Sequence, residues 1–175
     1  MKKILTICVA VLIAATTVSA KEYKHSLGIV AGSGIGVQYK TMVMDHFTII
    51  DEFGYLGSFA AATQGGSLPT FGAMDNLVMA YQAKGAEGQG IKLDWFVGGQ
   101  LKAGYIDFGG AGGMIGLGAA AGIEANIKNA PIAFSFDFRP GYGCVLMNTA
   151  AWGGTGVGAT HVFDWTINLG VRYTF

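Results

Sequence analysis

The residues of this chain that could do chemistry are its charged ones. Eleven of them share one parity along alternating stretches: Lys40, Glu52, Lys84, Lys92, Asp94, Lys102, Glu124, Asp137, Arg139, Asp164 and Arg172. Six are basic and five acidic, so the set is nearly balanced. A surplus of one sign would favour a polar pathway for ions. A balanced set predicts ion pairs that satisfy one another, because a buried charge persists only with its partner.

Acid–base or nucleophilic catalysis needs a nucleophile beside a base. Past residue 20 the chain has three histidines, His25, His46 and His161, and five serines, none next to His161. His161 with Thr160 and Asp164 is the only local set of that kind, and it reads as a rim residue rather than a catalytic base. No metal-ligand spacing and no phosphate loop occurs, so neither metal nor cofactor is expected; Gly32 to Gly36 and Gly109 to Gly113 read as turns. Asp51 breaks the pattern. The phase of Phe47, Ile49, Phe53, Tyr55 and Phe59 sends it to the apolar face, and a local bulge that turns Asp51 or Glu52 inward is expected there.

Strands are what must position these groups. From Phe163 to Phe175 the odd positions are Phe, Trp, Ile, Leu, Val, Tyr and Phe, and the even ones Asp, Thr, Asn, Gly, Arg and Thr. Side chains alternate across a strand, so one face is wholly apolar. The same period recurs over 132–138, 115–127 and 93–105, and in shorter form at 77–84 and 35–40. The Gly-Ala run 109–122 has small-residue spacing that would suit a packed membrane helix, but its alternation with Ile115, Leu117 and Ile123 favours a strand.

Composition decides which face is inside. Residues 1–20 carry Lys2 and Lys3, an apolar run from Ile4 to Ala15 and a small-residue end at Val18-Ser19-Ala20, the pattern of a cleaved secretory signal. Lys21 is then the first mature residue, residues 21–175 form one domain, and Cys144 is left alone with no disulfide to make. The remaining 9 basic and 11 acidic residues exclude nucleic acid as a partner. Hydrophobic residues make up 51% and charged ones 13%, against about 25% charged in soluble domains. No later apolar run is long enough for a helical span. The apolar face is therefore expected to meet lipid, where an extended chain closes its hydrogen bonds only as a barrel. A narrow barrel has room inside for packed side chains alone. Aromatics near strand ends, such as Tyr39, Tyr105 and Trp165, fit interfacial girdles.

The expected architecture is all-β: a transmembrane antiparallel up-and-down barrel of about eight strands. They fall near 46–60, 76–84, 93–107, 114–127, 131–142 and 163–175, and His25 to Lys40 folds at Gly32-Ser33-Gly34 into two. Tight turns are expected at Asn129-Ala130 and near Met42 to Asp45. Glu52 to Asp75 and Arg139 to Asp164 enclose no charged residue, so outer loops there lack the Lys and Arg that grip phosphates. Apolar loop residues such as Leu68, Phe71, Val145, Leu146, Met147 and Trp152 would meet a protein partner or extend the strands.

Leu169-Gly170-Val171-Arg172-Tyr173-Thr174-Phe175 resembles the C-terminal signature of outer-membrane barrels. That resemblance implies Tyr173 and Phe175 as an assembly signal recognised by the barrel assembly machinery. Asn129-Ala130-Pro131-Ile132 through Asp137-Phe138-Arg139-Pro140-Gly141, with Gly36-Val37-Gln38-Tyr39-Lys40, is similar to small outer-membrane barrels common in Bacteroidetes, broadly like OmpX and OmpA barrels. It implies no catalytic residue. The expectation is a non-enzymatic barrel in the bacterial outer membrane, embedded in its lipid, with a closed lumen and a structural, surface-contact or adhesion role. The alternatives are a lipid-modifying enzyme using His161 or Asp51, and a narrow channel for small solutes.

Overall fold

The computed structural model describes residues 23–32, 34–56, 71–107, 111–148 and 156–175. Among them eight strands follow in order: β1 (His25–Ala31), β2 (Gly34–Met44), β3 (Phe47–Leu56), β4 (Phe71–Glu87), β5 (Ile91–Asp107), β6 (Ala111–Ile127), β7 (Ile132–Asn148) and β8 (Val157–Thr174). Each pairs antiparallel with the next, and β8 closes on β1 through Leu27↔Tyr173, Ile29↔Val171 and Ala31↔Leu169. The fold is thus an all-β, up-and-down closed barrel of eight strands.

Register fixes its shape. Paired residues run Leu27, Tyr39, Asp51, Leu77, Leu101, Leu117, Tyr142 and Phe163 around the ring. Phe163 lies ten residues along β8 from Tyr173, which pairs Leu27. A shear of ten over eight strands, with roughly 3.3 Å rise and 4.8 Å strand spacing, gives a tilt of about 40°. Each residue then climbs about 2.5 Å along the barrel axis. The start of β1 and the end of β8 lie at one end, the terminal end of the barrel, where His25 N donates to Phe175 O at 3.1 Å.

The two faces are opposite in character. Pointing out and exposed are Ile29, Ile35, Phe53, Ile115, Leu117 and Leu169, each between 62% and 70% accessible. Pointing in are Lys40 at 1%, Glu124 at 0%, Arg139 at 1% and Arg172 at 2%. A water-soluble barrel would have these reversed. The inside is not all polar: Ile50, Val78, Ala80, Phe96 and Ala120 form one buried cluster. Met74, Met114 and Val145, with Val162 against them, form another toward the end away from the termini. Phe96 shares the inward parity of Asp94 and Lys102 and sets a large apolar ring among them. Gly122 opposite makes room for it, since a Cβ there would stand 2.6 Å from the Phe96 ring.

The first hairpin is two strands, turned where Gly32 N donates to Gly34 O at 2.8 Å. Other boundaries differ from expectation. β4 spans 71–87 rather than 76–84, β7 runs on to Asn148, and β8 begins at Val157. Glycine and alanine blur the alternation at those ends, such as Gly141, Gly143, Gly158 and Ala159, but their backbone groups pair as well as any other. Phe71, Val145, Leu146 and Met147 are therefore strand residues, and Ala111 to Gly113, expected in a turn, open β6. Leu68 and Trp152 lie outside the described residues, as do Phe59, Gly109 and Ser33. The β2–β3 turn falls at Asp45-His46, just past a register shift between Met42 and Met44.

The bulge expected near Asp51 is absent. From Thr48 to Tyr55 β3 pairs both neighbours without interruption, with Asp51 outward and Glu52 inward. Asp51 instead has company. Asp75, also outward on β4, sits one diagonal step away, and the two carboxyl groups are within hydrogen-bonding reach.

Candidate functional site

Nine of the eleven charged residues read from the sequence are buried in the lumen: Lys40, Glu52, Asp94, Lys102, Glu124, Asp137, Arg139, Asp164 and Arg172. The other two have the right parity but lie near the terminal end of β4 and β5. Lys92 is half-buried, with its Nζ 3.5 Å from Asp94 Oδ2. Lys84 is exposed, near the terminal end of β4 where it pairs in register with Asp94, so its place in the buried network is corrected.

The buried charges form two joined layers. In the first, nearer the termini, Glu124 accepts from Lys40 Nζ at 2.8 Å, from Arg172 Nη2 and from the hydroxyl of Tyr23. In the second, Arg139 meets Asp137 through two parallel bonds, Nε to Oδ1 at 2.6 Å and Nη2 to Oδ2 at 3.1 Å, and reaches Glu52 Oε2 at 2.9 Å. Asn168 Nδ2 donates to Asp137 at 2.8 Å. Gln38 links the layers, accepting from Arg172 and donating to Glu52 Oε2 at 3.2 Å. Two-pronged guanidinium–carboxylate contacts are the strong ionic kind, and they suit a space walled from water.

Above these, Lys102 Nζ meets Asp164 Oδ2 at 2.6 Å. Gly141 allows the approach, for a Cβ there would lie 2.7 Å from Asp164 Oδ1 and 3.0 Å from Lys102 Nζ. Its neighbour Pro140 has no N–H to give the ladder. Accordingly β6–β7 pairing stops between Gly118↔Gly141 and Ala121↔Phe138. The Asp-Phe-Arg-Pro-Gly piece is thereby accounted for residue by residue: an acid and a base on one inward parity, an outward aromatic between them, a break in the ladder and a gap that admits a second ion pair.

A cavity of about 30 Å³, lined by Glu52, Asn76, Gln100, Lys102, Arg139 and Asp164 among others, lies beside the first hairpin. That holds about one or two waters. The catalytic set weighed from sequence is split apart. His161 faces out and stacks on Tyr142 at 5.7 Å, while Asp164 faces in toward Lys102. His25 and His46 also lie outside, at the terminal end. His25 sits between Tyr39 and Phe175, 6.1 and 5.9 Å away, and His46 against Tyr81 at 5.4 Å. Cys144, opposite His161 in register, is a free thiol. Sequence reasoning missed Tyr23 and Gln38. Gln38 could have been found from its parity with Lys40; Tyr23 could not, because it lies outside any strand.

No family model and no curated protein matches the chain. Among solved structures it is similar to a major outer membrane protein from Thermus thermophilus, at 14% identity over 86% of this chain and 99% of that one, with a TM-score of 0.48. It is similar to Neisserial surface protein A, at 15% identity over 86% and 93%, TM-score 0.40. It is similar also to Ail, the attachment invasion locus protein of Yersinia pestis, at 14% identity over 86% and 93%, TM-score 0.32.

Proposed function

We propose that this chain is an integral outer-membrane barrel with a closed lumen, acting as a structural or surface-contact protein rather than as an enzyme or a channel. The inside-out partition of its side chains carries the reading: charges paired within, and Ile, Leu, Phe and Val exposed without. An apolar wall of that extent is stable only against lipid. His25, Tyr39, Tyr81, Trp95, Tyr173 and Phe175 then form the girdle at the periplasmic interface, and Tyr105, Tyr142 and Phe163 the outer one.

β7 runs six residues past Tyr142 to Asn148, and β8 starts six residues before Phe163. At about 2.5 Å per residue these strands stand roughly 15 Å above the outer girdle. The projecting residues, 143–148 and 157–162, carry no Asp, Glu, Lys or Arg. Such a wall favours contact with a protein surface over contact with lipid phosphates. Phe175 is exposed, stacked on Tyr173 at 6.0 Å and on His25 at 5.9 Å, and its exposure supports its reading as the signal for the assembly machinery.

The test is fractionation with gel migration. The protein should be recovered with outer membranes and migrate differently before and after boiling; recovery from the soluble periplasm overturns the reading. In planar bilayers it should give no discrete conductance steps. Phe175→Ala should lower its level in the outer membrane while the purified variant still folds in detergent; an unchanged level removes Phe175 as the signal.

A further inference from the structure

The lumen has a plug that its strands do not supply. β1 starts at His25, whose side chain faces outward, and Ser26 faces inward with 0% accessibility. Unbroken alternation would send Tyr23 outward beside His25 and Leu27. Instead the chain bends at Lys24, although Lys24 O still accepts from Met42 N at 2.8 Å. Tyr23 passes under the ring, and its hydroxyl donates to Glu124 Oε1 on β6. Strand β6 does not neighbour β1: β7 and β8 stand between them on one side and β2 to β5 on the other. The residue therefore spans the mouth of the barrel rather than lining its wall.

It lands on the first ionic layer, the one nearest that mouth. Glu124 already holds Lys40 and Arg172, and Asp94, tied to Asn126 Nδ2 at 3.1 Å, lies alongside. An aromatic ring over these groups keeps bulk water from them, and the hydroxyl holds the ring in place without leaving Glu124 short of a donor. We infer that Tyr23 is a stopper at the terminal end of the lumen, fastened by the single hydroxyl–carboxylate bond, and that it controls access of water and small solutes to the Lys40–Glu124–Arg172 layer. This goes beyond the membrane reading and does not depend on it, because it can be tested in detergent.

The experiment follows a luminal thiol. In a Cys144→Ser background, Ser26→Cys places a nearly isosteric reporter on the inner face. Its reaction with a small charged methanethiosulfonate is timed in the folded, detergent-solubilised protein. With Tyr23 present the reaction should be slow. Tyr23→Ala should speed it at least tenfold, and Tyr23→Phe, which keeps the ring and loses the donor, a few-fold. Equal rates with Tyr23 and with Tyr23→Ala, whether both slow or both fast, overturn the inference. Heat-modifiable migration confirms that each variant is folded. Should Tyr23→Ala fail to fold, Tyr23→Leu is used, and Thr174→Cys, also inward and 8% accessible, replaces Ser26→Cys if that fails.

Discussion

Replacing Arg139 by methionine tests whether the lumen is dry. The guanidinium is 1% accessible and makes three charged hydrogen bonds, two to Asp137 and one to Glu52. Methionine fills most of the volume but leaves two buried carboxylates without their main partner. Neither is stranded entirely: Asp137 keeps Asn168 Nδ2 at 2.8 Å, and Glu52 keeps Gln38 Nε2 at 3.2 Å. Breaking a buried pair from one side typically costs about 3–5 kcal/mol, and these residual donors place Arg139→Met within that range rather than above it. Adding Asp137→Asn removes one orphaned charge and should recover about 1–2 kcal/mol, a coupling that independent sites would not show. The assay is reversible urea unfolding in lipid vesicles, followed by tryptophan fluorescence. A cost below about 1 kcal/mol would mean that water reaches these groups, and the closed-lumen reasoning would fail.

Asp51 and Asp75 offer a perturbation of opposite sign. Asp51 lies four residues along β3 from Phe47, and Asp75 pairs Phe53, six residues along it, so the two carboxyls stand on the outer wall roughly 10 and 15 Å above the level of Phe47, and Asp75→Leu should raise stability by about 1–2 kcal/mol in the same assay. A loss instead would show that the acid pair is held by a partner in the membrane. Gly141→Ala should destabilise by about 1–3 kcal/mol, as overpacking does, because the added methyl meets Asp164 and Lys102. If the variant unfolds at the same urea concentration as the parent, the Lys102–Asp164 pair is not seated where the structure has it.

The fold was legible because a strand's period is two and the bilayer reading makes both faces distinctive. Phe163 to Phe175 shows this best, with every odd residue large and apolar and every even one polar or small. Legibility faded where glycine and alanine stand on both faces, so the outer ends of β7 and β8 read as loops. Asp51 was misjudged for another reason. Its lipid-facing phase was read correctly, and a bulge was expected only because a lone acid there is costly; its neighbour Asp75, on a strand end read as loop, was not in view. The lumen set was legible as a list of parities, since inward charges must alternate with outward hydrophobes. Who pairs with whom was not, because partners such as Lys40 and Glu124 are 84 residues apart and meet only through the shear of the ring. Tyr23 was beyond reach because a bend, not a period, sets its direction.

The two ionic layers also impose an order on assembly. Arg172 belongs to the last strand and Gln38 to the second, so their bond reaches across the seam where β8 meets β1, while Arg172 also ties to Glu124 of the sixth strand on the other side. In the membrane reading proposed above, Arg172 and Gln38 stay hydrated until that seam shuts, so a half-built sheet settles into hydrocarbon only at a cost. Sealing the first strand to the last and drying the interior are therefore one event. A chain stalled before it would be an intermediate with water still threading its middle, and vulnerable to proteases until the final strand arrives.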